Sequence, residues 1–260
     1  MKVFFLTALL AFSLNSTAQG VVDGFFKGKG VLDLAAGLAF ENASEYYALN
    51  KIEYGRSLFI VNTFGEYGIT DKWDAIASVP LINGKLQDAS LFTKYELVKF
   101  KGLSIIPAVG ISFPLSNYNT ETSQAIGQRA TNLQGKMVLQ YKANSPWFIQ
   151  AQATYQNTLD PVPHAYGWST KIGYGKGKWY ADLWYDQQIS TGDATFLGSI
   201  PYNTFRELGV DYQRIGGVVY YQFKPKFGIS LAASRVVNGR NIGEASIVGV
   251  SGVWKFGVKD

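Results

Sequence analysis

From about residue 31 onward the chain repeats one arrangement: some ten residues of alternating apolar and polar side chains, then a turn. In one window Leu133, Gly135, Met137, Leu139 and Tyr141 occupy one set of positions, and Gln134, Lys136, Val138, Gln140 and Lys142 the other. In another, Trp147, Ile149, Ala151, Ala153 and Tyr155 alternate with Phe148, Gln150, Gln152, Thr154 and Gln156. Successive side chains of a strand point to opposite faces, so each window has an apolar face and a mainly polar one. Twelve such segments are legible, at about 31–42, 57–69, 73–82, 90–99, 103–114, 132–142, 147–157, 166–175, 179–189, 206–223, 227–237 and 244–256. The tenth loses its alternation around Gly216-Gly217, which predicts a bulge there.

The connections alternate as well. Thr70-Asp71-Lys72, Phe100-Lys101-Gly102, Ala143 to Pro146, Lys176-Gly177-Lys178 and Lys224-Pro225-Lys226 are tight turns. The links at 43–56, 83–89, 115–131, 158–165, 190–205 and 238–243 are mostly longer and polar. Short turns at one end and long loops at the other mark an antiparallel up-and-down barrel of the transmembrane type. A soluble Greek-key sandwich has no reason to keep that regularity.

Composition agrees with a membrane sheet. Charged residues make up 17% of the 260, against roughly 25% in ordinary soluble domains, and aromatics reach 15%. Mean hydropathy is 0.00, too polar for a bundle of spanning helices. Zero Cys and one His exclude thiolate chemistry and imidazole metal clusters. No cofactor is expected. Eight of the 24 basic residues are lysines in or beside the tight turns. The net charge of +5 is therefore no footprint for a nucleic-acid partner.

Because every backbone amide must be paired in hydrocarbon, such a sheet crosses only as a closed ring. The predicted fold is all-β, a transmembrane antiparallel barrel of about 12 strands over residues 19–260. Its mainly polar face then points inward. The expected lumen-lining residues are Asn62, Glu66, Lys94, Glu96, Gln134, Lys136, Gln140, Gln150, Gln152, Lys171, Asp182 and Asp186. Phe92, Phe148, Tyr180 and Trp184 share that face, a mixture that suits an amphiphilic or aromatic solute better than a salt. A hydrated passage, plugged or open, is expected, since eight strands already enclose a filled interior. The loop Asn117 to Arg129 either folds into that lumen or binds a partner. Tyr67 and Trp73, Tyr141 and Trp147, Tyr174 and Trp179, and Phe223 and Phe227 flank tight turns, where rings form a membrane girdle at headgroup level.

Met1-Lys2, the apolar run Val3–Leu14 and Ser16-Thr17-Ala18 have the layout of a secretory signal peptide over residues 1–18. The expected location is the outer membrane, with both termini periplasmic. The expected partners are outer-membrane lipid, a small-molecule solute and, during biogenesis, the barrel-assembly machinery. The chain ends on an aromatic-rich strand, but its last ring, Phe256, stands four residues from the terminus.

Three stretches carry a family resemblance: Gly65–Pro80 with its Tyr67-Gly68, Thr70-Asp71 and Trp73, Asp88–Tyr95, and Pro107–Pro114. Over about residues 57–115 the chain resembles the outer-membrane family named for the meta-pathway of phenol degradation. The resemblance implies a barrel that transports or conducts hydrophobic or aromatic compounds, and it brings no catalytic residues with it.

The expected function is a passive outer-membrane channel for a small solute. The alternative is a structural or adhesive barrel that binds a partner through its long loops. A third reading, an outer-membrane phospholipase, needs a Ser beside His164; that family places a Ser two residues after its His, where this chain has Tyr166. The chain is therefore not expected to be an enzyme. Gly173 to Lys178 lacks the following helix of a phosphate loop, and Asp182 and Asp186 lie roughly 13 Å apart along a strand, too far to share a proton.

Overall fold

The computed structural model describes residues 22–257, so the proposed signal peptide lies outside the described residues. Twelve strands form the wall: β1 (Leu32–Tyr47), β2 (Lys51–Thr70), β3 (Trp73–Ile82), β5 (Asp88–Tyr95), β7 (Leu103–Pro114) and β8 (Asn132–Tyr141), then β9 (Trp147–Thr158), β10 (Ala165–Lys176), β11 (Trp179–Ser190), β12 (Asp211–Lys224), β13 (Phe227–Arg240) and β14 (Ile242–Phe256). Two short strands, β4 (Lys85–Leu86) and β6 (Val98–Phe100), hang on β3 and β7. Each wall strand pairs antiparallel with its chain neighbours, and β1 pairs with β14 from Leu32↔Phe256 to Tyr47↔Ile242, which closes the ring.

The register turns the period-two pattern into two surfaces. Side chains paired across a ladder point the same way, so Gln140 and Gln150 share the inner face with Ser104, as do Asp74 and Lys94. The residues between them form the outer surface, where Phe40, Phe59, Val109, Ile149, Ile172 and Leu183 stand exposed. Such an apolar outer band suits hydrocarbon, where a closed barrel leaves no unpaired edge.

Several boundaries differ from the sequence expectation. The link expected at 43–56 is mostly strand: β1 and β2 run on to Tyr47 and Lys51, and β2 reaches 20 residues. About 9–11 residues cross a bilayer at a tilt, so this hairpin extends well past the barrel rim. Polar residues there still alternate, and outside lipid nothing demands an apolar face. The link at 238–243 shrinks to Asn241 (φ 57°) between β13 and β14. The 83–89 link holds a tight turn, Asn83-Gly84, whose two positive φ angles match hairpin twist, and then β4. The tenth segment begins at Asp211, since Phe205–Glu207 forms a turn of 3-10 helix. No bulge occurs at Gly216-Gly217, which pair regularly with Ser234 and Ala233; the shifts fall at Gln213/Arg214 and Gln222/Lys224.

Candidate functional site: the occupied lumen

Of the twelve residues expected to face inward, nine are buried, and Gln134, Lys136 and Asp186 are half-buried. The structure does not gather them in one place. Glu66, Lys94, Gln140, Gln150, Lys171 and Asp182 lie in the half nearer the tight turns. Gln134, Lys136, Gln152 and Asp186 line a chamber farther up. Asn62 points inward on β2, with its Oδ1 unpartnered. Glu96 sits apart, accepting from Ser104 Oγ at 2.8 Å and pairing with Lys99 at 3.2 Å.

The turn-end half is filled by the chain's own segment ahead of β1. Val22 is buried in a cluster with Ile76, Phe92, Ile106, Ala108 and Val138. The Gly24 amide donates to Gln150 Oε1 at 3.0 Å, and the Gly24 carbonyl accepts from Gln140 Nε2 at 2.8 Å. Phe25 meets the Phe148 ring edge-on at 4.8 Å and Tyr180 at 6.2 Å. The segment joins the wall at Gly68, whose carbonyl accepts from the Gly30 N–H (2.8 Å) and whose N–H donates to Val31 O (2.9 Å). A Cβ at Gly68 would stand 1.9 Å from the Gly28 carbonyl oxygen, so the approach requires glycine.

Charge holds this segment in place. The fully buried Lys94 ammonium reaches Asp23 Oδ1 at 2.8 Å and Glu66 Oε1 at 2.7 Å, and donates to the carbonyls of Asp23 and Phe25. Lys27 pairs with Glu66 at 3.0 Å and Asp33 at 3.4 Å, while its backbone N–H donates to Asp74 Oδ2 at 3.1 Å. Burial alone would push the Asp23 carboxyl up, but Lys94, Lys27 and Lys171 outweigh it and hold Asp23 well below the usual carboxylate range. Burial likewise works against the Lys27 charge, and Glu66, Asp23 and Asp33 overcome it, raising that ammonium above the ordinary lysine range. A buried charge stripped of its partner is expensive, so each member keeps the others inside.

Loops close the opposite end. Tyr118, buried, donates to Asp88 Oδ1 at 2.5 Å and accepts from the Arg129 amide at 2.9 Å. Arg56 Nη1 donates to Ala125 O at 2.7 Å, and Arg206 Nε to Gln128 O at 2.9 Å. The 117–129 loop therefore folds over the lumen. Between loops and N-terminal segment lies a chamber of about 240 Å³, where Ser90, Gln134, Lys136, Gln152, Asp186 and Arg214 meet. Arg214 is paired with Asp186 at 2.5 Å.

Rings collect at the turn end of the outer surface. Tyr67, Trp73, Tyr141, Trp147, Trp179 and Phe223 are exposed; Tyr174 and Phe227 are half-buried against Trp147 (5.1 Å) and Trp254 (5.4 Å). His164 is spent on structure: its Nδ1 accepts the Thr158 amide at 3.1 Å, and Ser190 Oγ reaches its carbonyl oxygen, not its ring. Among the described residues no group of three His, Cys, Asp or Glu is placed to hold a metal.

The inward N-terminal segment was not among the expected features. Its only sequence sign is negative: Val22 to Gly30 breaks the alternation, mixing Asp23, Lys27 and Lys29 with Phe25-Phe26 and three glycines.

No protein-family model matches this sequence, and no curated protein matches it. Solved structures do. The chain is similar to the COG4313 outer membrane channel from Pseudomonas putida F1 (TM-score 0.69, 12% identity, 90% of this chain and 100% of that one). It is similar to the NanC porin (TM-score 0.58, 11% identity, 86% and 98%). It also resembles the translocator domain of the autotransporter NalP from Neisseria meningitidis (TM-score 0.52, 9% identity, 94% and 93%). These likenesses establish the outer-membrane barrel fold; function lies in what each barrel encloses.

Proposed function

We propose that this chain is an outer-membrane channel that passes a small solute passively, with its N-terminal segment as an internal plug. The observation that carries this reading is the lumen's filling. Hydrogen bonds and ion pairs to a separate segment hold it across the turn end and narrow the lumen there, and a polar chamber remains above it. A barrel serving only as a scaffold gains nothing from a cavity lined by amides and charges, which apolar side chains would fill more favourably. The twelve inward residues are the lining of the passage, and the eight turn-end rings are the headgroup-level girdle. Phe25, Phe148 and Tyr180, packed inside the lumen, support a solute with an aromatic or hydrophobic body. That agrees with the sequence resemblance to the phenol meta-pathway family. Both termini face the periplasm in this reading, and the barrel-assembly machinery inserts the chain.

Single-channel recording of the purified chain in planar bilayers tests the proposal, with steady conductance expected. A barrel that inserts, judged by its heat-shifted mobility on gels, yet stays silent would favour the structural or adhesive alternative.

A further inference from the structure

The N-terminal segment fills its half of the lumen unevenly. Val22, Gly24, Asp23 and Lys27 fasten it to β2, β3, β5, β7, β8 and β9. Toward β10–β14 a cleft of about 500 Å³ stays open. Lys27, Lys142, Lys171, Lys176, Lys178 and Lys255 line it, against the three carboxylates of Asp23, Asp33 and Asp182. All three carboxylates are engaged: Asp23 with Lys94, Asp33 with Lys27, and Asp182 with Lys171 at 3.6 Å and the Tyr180 hydroxyl at 2.6 Å. The cleft is thus electropositive, and its narrow protein walls concentrate that field.

One step farther in along the same wall stands Trp184. It is buried on the inner face of β11, between the Asp182 and Asp186 levels, with the Arg214 guanidinium 5.6 Å from its ring centre. Gly216 makes room for it, since a Cβ there would lie 2.2 Å from the indole. Beyond Trp184 lies the chamber, and there Lys136 differs from the other inward cations. Lys27, Arg56, Lys94, Lys171 and Arg214 each pair with a carboxylate. Lys136 has no ion pair among the described residues, and its ammonium sits 5.4 Å from the centre of the Phe92 ring.

We propose that cleft, Trp184 and chamber form one path, and that the solute it takes is a small organic anion with an aromatic body. This rests on the channel reading and names its solute class. The anionic group is received by the lysines of the cleft and handed to Lys136, while the body slides over Phe25, Tyr180, Trp184 and Phe92. Trp184 is the barrier between the two sites.

The test uses the full chain in planar bilayers under a KCl gradient. The reversal potential is expected on the anion side. Benzenesulfonate is expected to carry current, and benzyltrimethylammonium, a cation of similar size, to carry little. Trp184→Ala should raise conductance several-fold with the anion preference kept, and Trp184→Phe should fall between. Lys136→Gln with Lys142→Gln should remove most of the preference. A steady current that prefers cations, or that treats the two organic ions alike, overturns the proposal and leaves the channel reading standing. Unchanged conductance in both Trp184 variants, each still heat-shifted on gels, overturns it too. A silent wild-type chain sinks the channel reading first and takes this proposal with it.

Discussion

The two ends of the lumen are closed by different kinds of contact. At the turn end the buried Lys94 and Glu66 of the wall hold the half-buried Asp23 and Lys27 of the segment ahead of β1. At the loop end Arg206 and Arg129 reach backbone carbonyls of loop residues, in partly buried positions close to water. Removing one partner strands a charge in the first case, whereas in the second water replaces the lost bond. The turn end is therefore the costlier to open, and the loop end is the one that gives way under small perturbation.

The strongest break of this comparison is deletion of residues 22–29. Single-channel conductance should then rise several-fold in a barrel that still shows heat-shifted mobility, and an unaltered conductance would mean the segment is no plug. Next comes Lys94→Met, which takes the ion pair from Asp23 and leaves the buried Glu66 with Lys27 alone. It should destabilise the detergent-folded barrel by about 3–5 kcal/mol in denaturant titration, and adding Glu66→Gln should recover part of that. A loss as small as the loop-end one described below would erase the distinction between the ends. Gly68→Ala tests the same closure without touching an ion pair. Its Cβ meets the Gly28 carbonyl, so the segment should loosen and become cleavable by added protease, with a conductance rise smaller than that of the deletion. The smallest effect is expected from Arg206→Ala, about 1 kcal/mol, read as faster proteolysis within residues 115–131 at unchanged conductance.

Much of the wall was legible because strand alternation is a local property. The segments read at 132–142 and 147–157 align with β8 and β9 to within a residue, and Gln140, Gln150 and Gln152 on them are buried. Where lipid stops imposing an apolar face, the signal fades, which is why the outer parts of β1 and β2 read as loop. The glycines at 216–217 suggested a bulge, yet Gly216 is there for the Trp184 ring, a neighbour 32 positions away and invisible to a window of ten. The site was half legible. Which residues point inward follows from parity along each strand, but what they touch does not. Lys94 reads as a lumen lysine; nothing beside it in sequence announces Asp23, 71 residues earlier.

Alternation, turn chemistry and scarce charge were enough, before any coordinates, to demand a closed antiparallel sheet of about twelve strands with a greasy exterior. These are constraints between near neighbours, and near neighbours are what a sequence displays. The occupant of the lumen, the lysine left without a carboxylate and the wall left open beside the plug were settled only when the ring closed. Closure brings residues 22–30 against strands scattered from β2 to β11, and charge compensation among groups so far apart along the chain exists only in three dimensions.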